Sequence, residues 1–117
     1  MKIIISPAKS LDFEKELPTK GFSIPDFLSE SKVINDSLKK RSPSELKSLM
    51  SISDKLADLN WNRNNSFKIP FNTDNSRPSI FTFNGDVYNG LDAFTLSTEQ
   101  IKNAQSSLRI LSGLYGL

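Results

Sequence analysis

Three pairs of side chains in this sequence could do chemistry, and each pair follows a run of residues predicted to form a β-strand. The pairs are Ser6 with Lys9, Asp86 with Tyr88, and Ser112 with Tyr115. In α/β proteins ligands bind at the carboxyl ends of the strands, so the three pairs could meet at such a site. Since the chain has no His and no Cys, proton transfer would depend on Asp86 or Lys9. This pattern would suit an enzyme that acts on a nucleotide or nucleoside.

Each pair also has an ordinary structural explanation. Ser6 can end a strand, Asp86 can cap a short helix, and Tyr88 can pack in the core. The loop after the first strand lacks the glycines of a phosphate-binding P-loop, and the absence of His and Cys removes imidazole and thiolate metal ligands. We therefore favour structural roles for these residues and expect no catalytic residue, metal or cofactor, with the enzyme kept as the alternative.

A second set of residues could bind an anion without transforming it. Residues 39–55 hold five basic side chains against the acids Glu45 and Asp54, a local charge of +3 compared with +2 for the whole chain. The candidate phosphate ligands, with the two serines of a predicted turn and one arginine further on, are Lys39, Lys40, Arg41, Lys47, Ser51, Ser53, Lys55 and Arg63. Basic side chains, serine hydroxyls and backbone amides are the groups that contact DNA phosphates. The triplet at 39–41 also suits the negative end of a helix, so it does not by itself indicate DNA binding.

Most of these residues lie on or beside a predicted pair of short helices over residues 42–63. Ser42 is a suitable N-cap, Pro43 suits the first helical position, and Glu45 completes a capping box. Ser53 can cap the second helix. The predicted apolar faces consist of Leu46, Leu49 and Met50 in the first helix and of Leu56, Ala57 and Leu59 in the second. Such a hairpin can hold a phosphate or can be an ordinary packed pair of helices.

The remaining elements alternate between strand and helix patterns. Residues 2–5 predict a strand whose three isoleucines would be buried on both faces. A helix is predicted to begin at Pro25 and end near Lys40, with an apolar face made of Phe27, Leu28, Ile34 and Leu38. The Asn-rich residues 61–78 predict an irregular loop. Residues 80–83 predict a second strand, and Asp86 is then expected to cap a helical turn.

The C-terminal part of the chain continues this alternation. Ser97 and Gln100 form another capping box, and residues 108–111 predict a third strand. Strands separated by helices predict an α/β fold with a small mixed sheet, flanking helices and some parallel pairing. With 117 residues, 37% apolar and 24% charged, the chain is expected to form one soluble domain. No apolar run approaches membrane-spanning length and no signal peptide begins the chain, so we expect a cytoplasmic protein without a membrane partner.

Four segments together carry a family resemblance. They are ISPAKSLDFE at residues 5–14, LMSISDKLADLN at 49–60, FNGDVYNGLDA at 83–93 and LRILSGLYGL at 108–117. In this order they resemble the YaaA family of bacterial peroxide-stress proteins, and they span the whole chain. The resemblance implies a protein that protects against hydrogen peroxide and is linked to limiting free intracellular iron. It also implies binding to double-stranded DNA without strong sequence preference, through a helix-hairpin-helix element at about 42–63.

The chain departs from the family pattern in two places. Family members continue beyond the segment that matches LSGLYGL, so we expect residues 1–117 to be the N-terminal part of a YaaA-like domain. The missing C-terminal half would then be a partner of this chain, because three strands alone leave a sheet with open edges. The usual helix-hairpin-helix turn also contains glycine, whereas residues 51–53 are Ser-Ile-Ser, whose hydroxyls could replace close amide contacts.

Overall fold

A computed structural model of the protein describes all residues from 1 to 117 and has an α/β composition, as predicted. The helices are α1 (Leu28–Lys39), α2 (Pro43–Met50), α3 (Asp54–Ser66), α4 (Ser79–Thr82), α5 (Asp86–Leu91) and α6 (Thr98–Ser107), with a 3-10 turn at Ala93–Thr95. The strands are β1 (Ile3–Ile5), β2 (Ser10–Leu11), β3 (Phe83–Asn84) and β4 (Leu108–Ile110). The chain divides into two units, which are Met1–Asp26 with Asn72–Leu117 and, between them, Phe27–Phe71. None of the helices combines the length and the apolar character needed to cross a bilayer.

The unit Phe27–Phe71 consists of α1, α2 and α3, and α3 packs against both other helices. Its buried apolar side chains are Leu46 on α2 and Ala57 on α3, both almost completely inaccessible to solvent. The predicted apolar faces are therefore only partly correct, because Leu49, Met50, Leu56 and Leu59 are all exposed. The contact between α2 and α3 therefore removes one large and one small apolar side chain from solvent.

Helix α1 differs from its prediction in both its start and its buried face. It begins at Leu28, three residues after Pro25, and the expected core residues Phe27 and Ile34 are exposed. The fully buried positions are instead Ser31 and Asn35, which are one helical turn apart. Asn35 Nδ2 donates to the Asn64 carbonyl at 3.0 Å, so this face meets α3 through a hydrogen bond. Burial of an amide is tolerated there because the amide has a partner.

Helix α3 is longer than predicted, since it continues to Ser66 through residues that the Asn-rich composition assigned to a loop. Asn60 and Asn65 donate their side-chain amides to the Leu56 and Trp61 carbonyls, each at 2.8 Å and one turn back. These bonds satisfy the side chains without breaking the helical backbone. Beyond α3, Phe67 and Phe71 pack edge to face with 5.6 Å between ring centroids, and the Ile69–Pro70 peptide is cis.

The second unit contains two separate two-stranded sheets, whereas the prediction was one small mixed sheet. Strand β1 pairs in parallel with β4, so the predicted parallel pairing and the strand at the chain's end are confirmed. Strand β2 pairs antiparallel with β3. The expected burial of the isoleucines is wrong, because Ile3 and Ile4 are exposed. A two-stranded sheet supplies too little neighbouring structure to cover three consecutive isoleucines on both faces.

Two predictions between residues 79 and 97 change in detail. Residues 79–82 form a helical turn, because the Pro78 carbonyl accepts from Phe81 N–H and Thr82 Oγ1, and the strand begins only at Phe83. Asp86 is the first residue of α5 and makes no capping hydrogen bond, so its predicted cap is wrong. The capping box of α6, formed by Ser97 with Gln100, is confirmed.

Candidate nucleic-acid interface

The α2 helix begins with the capping box that the sequence predicts. The Glu45 amide donates to Ser42 Oγ at 3.3 Å, and the Ser42 amide donates to Glu45 Oε2 at 2.8 Å. The backbone hydrogen bond from Ser42 is the main reason that the pKa of Glu45 lies below its usual value, with Arg41 adding to the effect. The cap therefore fixes where α2 starts and holds a carboxylate close to Arg41.

The α2–α3 turn consists of Ser51, Ile52 and Ser53. Ser51 adopts the left-handed conformation, with φ 53° and ψ 49°, which non-glycine residues visit infrequently. Its amide and the amide of Ile52 both donate to the Lys47 carbonyl. Neither amide is therefore available for a phosphate in this conformation, and the exposed hydroxyl is the group that Ser51 offers.

The amides open to a ligand lie just beyond this turn, at the start of α3. Ser53 caps the helix by accepting from the Leu56 amide at 3.3 Å. The amides of Asp54 and Lys55 make no hydrogen bond within the chain, as expected for the first turn of a helix. Such amides, at the positive end of the helix dipole, are suitable donors to a phosphate.

The basic side chains of this unit divide into paired and unpaired groups. Lys47 Nζ lies 2.8 Å from Asp54 Oδ1, and Arg41 Nη1 lies 3.4 Å from Glu45 Oε1. These two pairs cancel both acids of residues 39–55, so the local +3 resides on Lys39, Lys40 and Lys55. Lys39 Nζ donates to the Phe67 carbonyl at 3.2 Å, whereas Lys40 and Lys55 are exposed and make no ion pair. Arg63 is half-buried on α3.

An open hollow of about 320 Å³ lies on the outer side of α2 and is lined by Arg41, Glu45, Ser48 and Leu49. The Arg41 guanidinium in its wall is already paired with the Glu45 carboxylate, so the four lining residues together carry no net charge. It is therefore a less suitable phosphate site than the start of α3, where unpaired amides lie beside Lys55.

The alternative catalytic candidates come together only in part. Ser6 and Ser112 follow the adjacent parallel strands β1 and β4, and the Leu111 amide donates to the Ile5 carbonyl at 3.0 Å between them. Tyr88 Oη donates to the Ser6 carbonyl at 2.8 Å, which brings a third segment to the same sheet end. Tyr88 is only 6% exposed, and burial raises the pKa of its phenol.

The remaining candidates differ in their surroundings. Ser112 Oγ accepts from the Leu114 amide at 3.2 Å and from the Tyr115 amide at 3.0 Å, which gives this serine a turn-forming role. Burial raises the pKa of Tyr115. Lys9 and Asp86 are exposed, and neither side chain makes a hydrogen bond or ion pair within the chain. The structure thus places Ser6 and Ser112 after two paired strands and brings Tyr88 to the Ser6 backbone, whereas the hydroxyl of Ser112 is bonded within its own turn.

Sequence reasoning missed the partners that neutralise the basic residues. The Arg41–Glu45 pair has the i, i+4 spacing at which opposite charges meet on a helix, so the sequence contained a signal for it. Lys47 and Asp54 belong to different helices, and their pairing depends on the angle at the turn. No local spacing rule indicates such a contact.

Comparison with known proteins gives a match along the whole chain. The family model described as peroxide stress protein YaaA matches residues 1–117. A UPF0246 protein of Flavobacterium johnsoniae is 60% identical over all 117 residues, which cover 46% of that protein's length. UPF0246 proteins of Flavobacterium psychrophilum and Alteromonas mediterranea are 57% and 50% identical over the whole chain, which covers 46% and 45% of their lengths.

The match covers the whole of this chain but only part of each relative. The chain spans less than half the length of the curated relatives it matches, in agreement with an N-terminal half. The four segments that carry the resemblance all lie within the matched range. The chain therefore belongs to the YaaA family of peroxide-stress proteins.

Proposed function

We propose that this chain takes part in peroxide protection by binding the backbone of double-stranded DNA through α2 and α3, acting as a helix-hairpin-helix-like element. The observation that carries the proposal is the combination of unpaired amides at Asp54 and Lys55 with the unpaired ammonium groups of Lys40 and Lys55. Amides and lysines contact phosphate oxygens without reading bases. The expected binding is therefore independent of the DNA sequence. Such binding would suit a protein that limits iron-dependent damage anywhere in the DNA, as the family resemblance implies.

The contribution of each proposed group follows from its present partners. Lys55 and Lys40 can approach phosphates without losing an intramolecular contact. Lys47 and Arg41 must first exchange a carboxylate for a phosphate, and both carboxylates are exposed, so this exchange is inexpensive. Lys39 and Arg63 add long-range attraction, and the hydroxyls of Ser51 and Ser53 flank the amide donors.

The test is a mobility-shift titration of duplex DNA at increasing salt concentration, comparing the original chain with Lys55→Ala and Lys40→Ala. The logarithm of the binding constant is expected to fall with the logarithm of salt concentration, and each lost phosphate contact reduces this slope by about 0.9. Lys102→Ala is the matched control, because it removes one positive charge from the exposed surface of α6.

The salt slopes of the variants distinguish a local phosphate contact from a general effect of the chain's net charge. A lower slope in the Lys55 and Lys40 variants with an unchanged slope in the Lys102 variant supports the proposal. Equal slopes in all three variants would contradict it. The same titration on a protein of full family length tests whether the rest of the relatives' sequence adds further phosphate contacts.

A second candidate function is an enzyme that acts on a nucleotide or nucleoside. The observation that favours it is the meeting of Ser6, Ser112 and Tyr88 at one end of the β1–β4 sheet. Incubation with nucleosides and nucleotides, followed by chromatography, tests it. Product formation that is lost in Ser6→Ala or Ser112→Ala supports the enzyme, and unchanged substrates in all reactions contradict it.

A further inference from the structure

A cavity of about 280 Å³ lies entirely within the unit formed by Met1–Asp26 and Asn72–Leu117. It is bordered by two residues that follow β2 and by residues between Ile80 and Phe94, including Tyr88 and Asn89 of α5. Two of the segments that carry the family resemblance, 5–14 and 83–93, therefore meet at its wall. Neither segment has a role in the proposed phosphate contact, which belongs to the other unit.

Four of the residues that line the cavity are aromatic, and we call them its floor. Phe83 and Tyr88 have ring centroids 5.3 Å apart and an interplanar angle of 38°, and Phe81 and Phe94 are 5.2 Å apart at 55°. Phe81 and Tyr88 are buried, whereas Phe83 and Phe94 are half-buried and so expose part of their rings. Exposed ring surface beside a cavity favours a planar aromatic ligand, which gains by stacking.

The floor is held in place by contacts outside the cavity. The hydrogen bond from Tyr88 Oη to the Ser6 carbonyl fixes the end of that ring at 2.8 Å. A Cβ atom at Gly85 would lie 3.2 Å from Ala8 Cβ, so the loop before α5 fits closely against the loop after β1. A floor that is already ordered does not lose conformational freedom when a ligand binds.

The polar side chains that line the cavity, which we call the rim, supply both donors and acceptors that have no partner in the protein. The side-chain amides of Asn84 and Asn89 and the carboxylate of Asp92 line the cavity and make no hydrogen bond within the chain. Asp12 Oδ1 accepts from the amides of Glu14 and Lys15 at 2.8 and 3.1 Å, while Oδ2 accepts from no donor. A ligand with mixed donors and acceptors along its edge matches such a rim.

Charge distinguishes among the planar ligands. The cavity wall holds Asp12, Asp92 and Lys15, a net charge of −1 that disfavours a phosphate. The ammonium of Lys15 lies 4.0 Å from the Phe94 ring centroid, so a cation already occupies that ring face. A neutral ligand with an aromatic frame and a hydrogen-bonding edge satisfies both conditions.

We propose that this cavity binds the heterocyclic base of a free nucleoside or of an unpaired nucleotide in a single strand. The base stacks on the exposed surface of Phe83, beside the Lys15–Phe94 pair, and its edge bonds to Asn84, Asn89 and Asp92. Sugar and any phosphate lie outside, away from the two carboxylates. This site requires neither the phosphate contacts of α2 and α3 nor a chemical reaction.

The test is a titration of the ¹⁵N-labelled 117-residue chain, followed by nuclear magnetic resonance. Adenosine, guanosine, cytidine and thymidine form one arm, and the second arm uses a single-stranded oligonucleotide with and without its bases. Saturable shifts of the Asn84 and Asn89 side-chain amides are expected with at least one nucleoside or with the base-containing oligonucleotide. A response to a nucleoside identifies a free nucleoside as the source of the base. A response to the oligonucleotide alone identifies a nucleic acid as the source.

Variants of the rim give the quantitative readout. Asn89→Ala or Asp92→Asn is expected to weaken the response about tenfold, since the first removes a hydrogen bond to the base and the second replaces a charge-assisted hydrogen bond by a neutral one. Asp92→Asn suits this purpose because Asn accepts the left-handed conformation found there, with φ 45°. It also replaces an acceptor-only group, so bases with amino groups lose more affinity than thymidine.

Two exposed positions outside the cavity provide matched controls. Asn103→Ala on α6 and Asp26→Asn are exposed changes of the same kind outside the cavity, and both should bind like the original chain. The proposal is overturned if no nucleoside or oligonucleotide shifts the cavity resonances. It is equally overturned if the abasic oligonucleotide shifts them as strongly as the base-containing one, or if the controls weaken binding as much as the rim variants.

Discussion

Lys47 and Asp54 face each other across the turn between α2 and α3, with 2.8 Å between Nζ and Oδ1. The two residues belong to different helices, and both side chains remain substantially exposed. An exposed ion pair of this kind contributes little to stability, because water solvates both charges in the open state. Its effect is electrostatic, since a carboxylate is held beside the amides of α3 that we propose as phosphate donors.

Replacing that carboxylate is expected to strengthen DNA binding. Asp54→Asn removes the negative charge and releases Lys47, so affinity should rise severalfold and the salt slope should steepen by about 0.9 if Lys47 gains one phosphate. Mobility-shift titrations measure both quantities. Asp58→Asn, on the same helix and with the same change in net charge, is the control. An equal effect of the two variants would argue against a specific role for the turn.

The serine caps are expected to determine the stability of the three-helix unit. Ser42→Ala and Ser53→Ala each remove an acceptor from a helix N-terminus and should cost about 1 kcal/mol in the free energy of unfolding. Denaturant unfolding followed by fluorescence of Trp61, the single tryptophan and a residue of α3, reports on this unit. Ser37→Ala, at an exposed position on α1, should change the midpoint little or raise it.

The buried amide of Asn35 is expected to contribute to the stability of the three-helix unit through its hydrogen bond. Asn35 is 1% exposed, and its substitution by Ala leaves the Asn64 carbonyl without this donor. The expected loss is about 1–3 kcal/mol in the free energy of unfolding, again followed by Trp61 fluorescence. Asn62→Ala on the exposed part of α3 provides the comparison. Similar losses in the two variants would mean that the Asn35–Asn64 bond is energetically unimportant.

Because the pKa of the capping carboxylate of Glu45 is lowered, the free energy of unfolding is expected to depend on pH in the acid range. Hydrogen bonds from Ser42 lower its pKa in the folded chain, so its contribution is complete above the unfolded-state pKa near 4.5. That contribution is lost as pH falls through the lower folded-state value. Unfolding midpoints at pH 7 and at pH values below 4.5 should therefore differ less in Glu45→Gln than in the original chain. An identical acid dependence in both proteins would exclude Glu45 as a source.

The starts of α2, α3 and α6 were predictable because the signals of their serine caps are local. The Ser42–Glu45 and Ser97–Gln100 boxes join residues three positions apart, so these bonds form wherever the chain becomes helical. Local hydrogen bonds also explain why the predicted loop after Trp61 is helical as far as Ser66. The Asn-rich composition after Trp61 indicated a loop, but side-chain bonds to carbonyls one turn back allow these asparagines to remain helical.

Burial was less predictable, because it depends on which surface each helix meets. The apolar spacing of α1 was correct as a pattern, yet Ser31 and Asn35 are the buried residues. The candidate site likewise has one part that the sequence predicted and one part that it did not. The basic cluster of residues 39–55 is visible in the sequence, whereas the pairing of Lys47 with Asp54 follows from the geometry of the turn.

By itself, the sequence determined the family, the serine caps of α2, α3 and α6, and the excess of positive charge around α2. These features depend on composition or on contacts between residues close in the chain. Only the tertiary structure decided which lysines remain unpaired and which amides of the turn are occupied. It also decided that Asp12 and Asp92 share one aromatic cavity, because contacts between residues distant in sequence depend on packing of the folded chain.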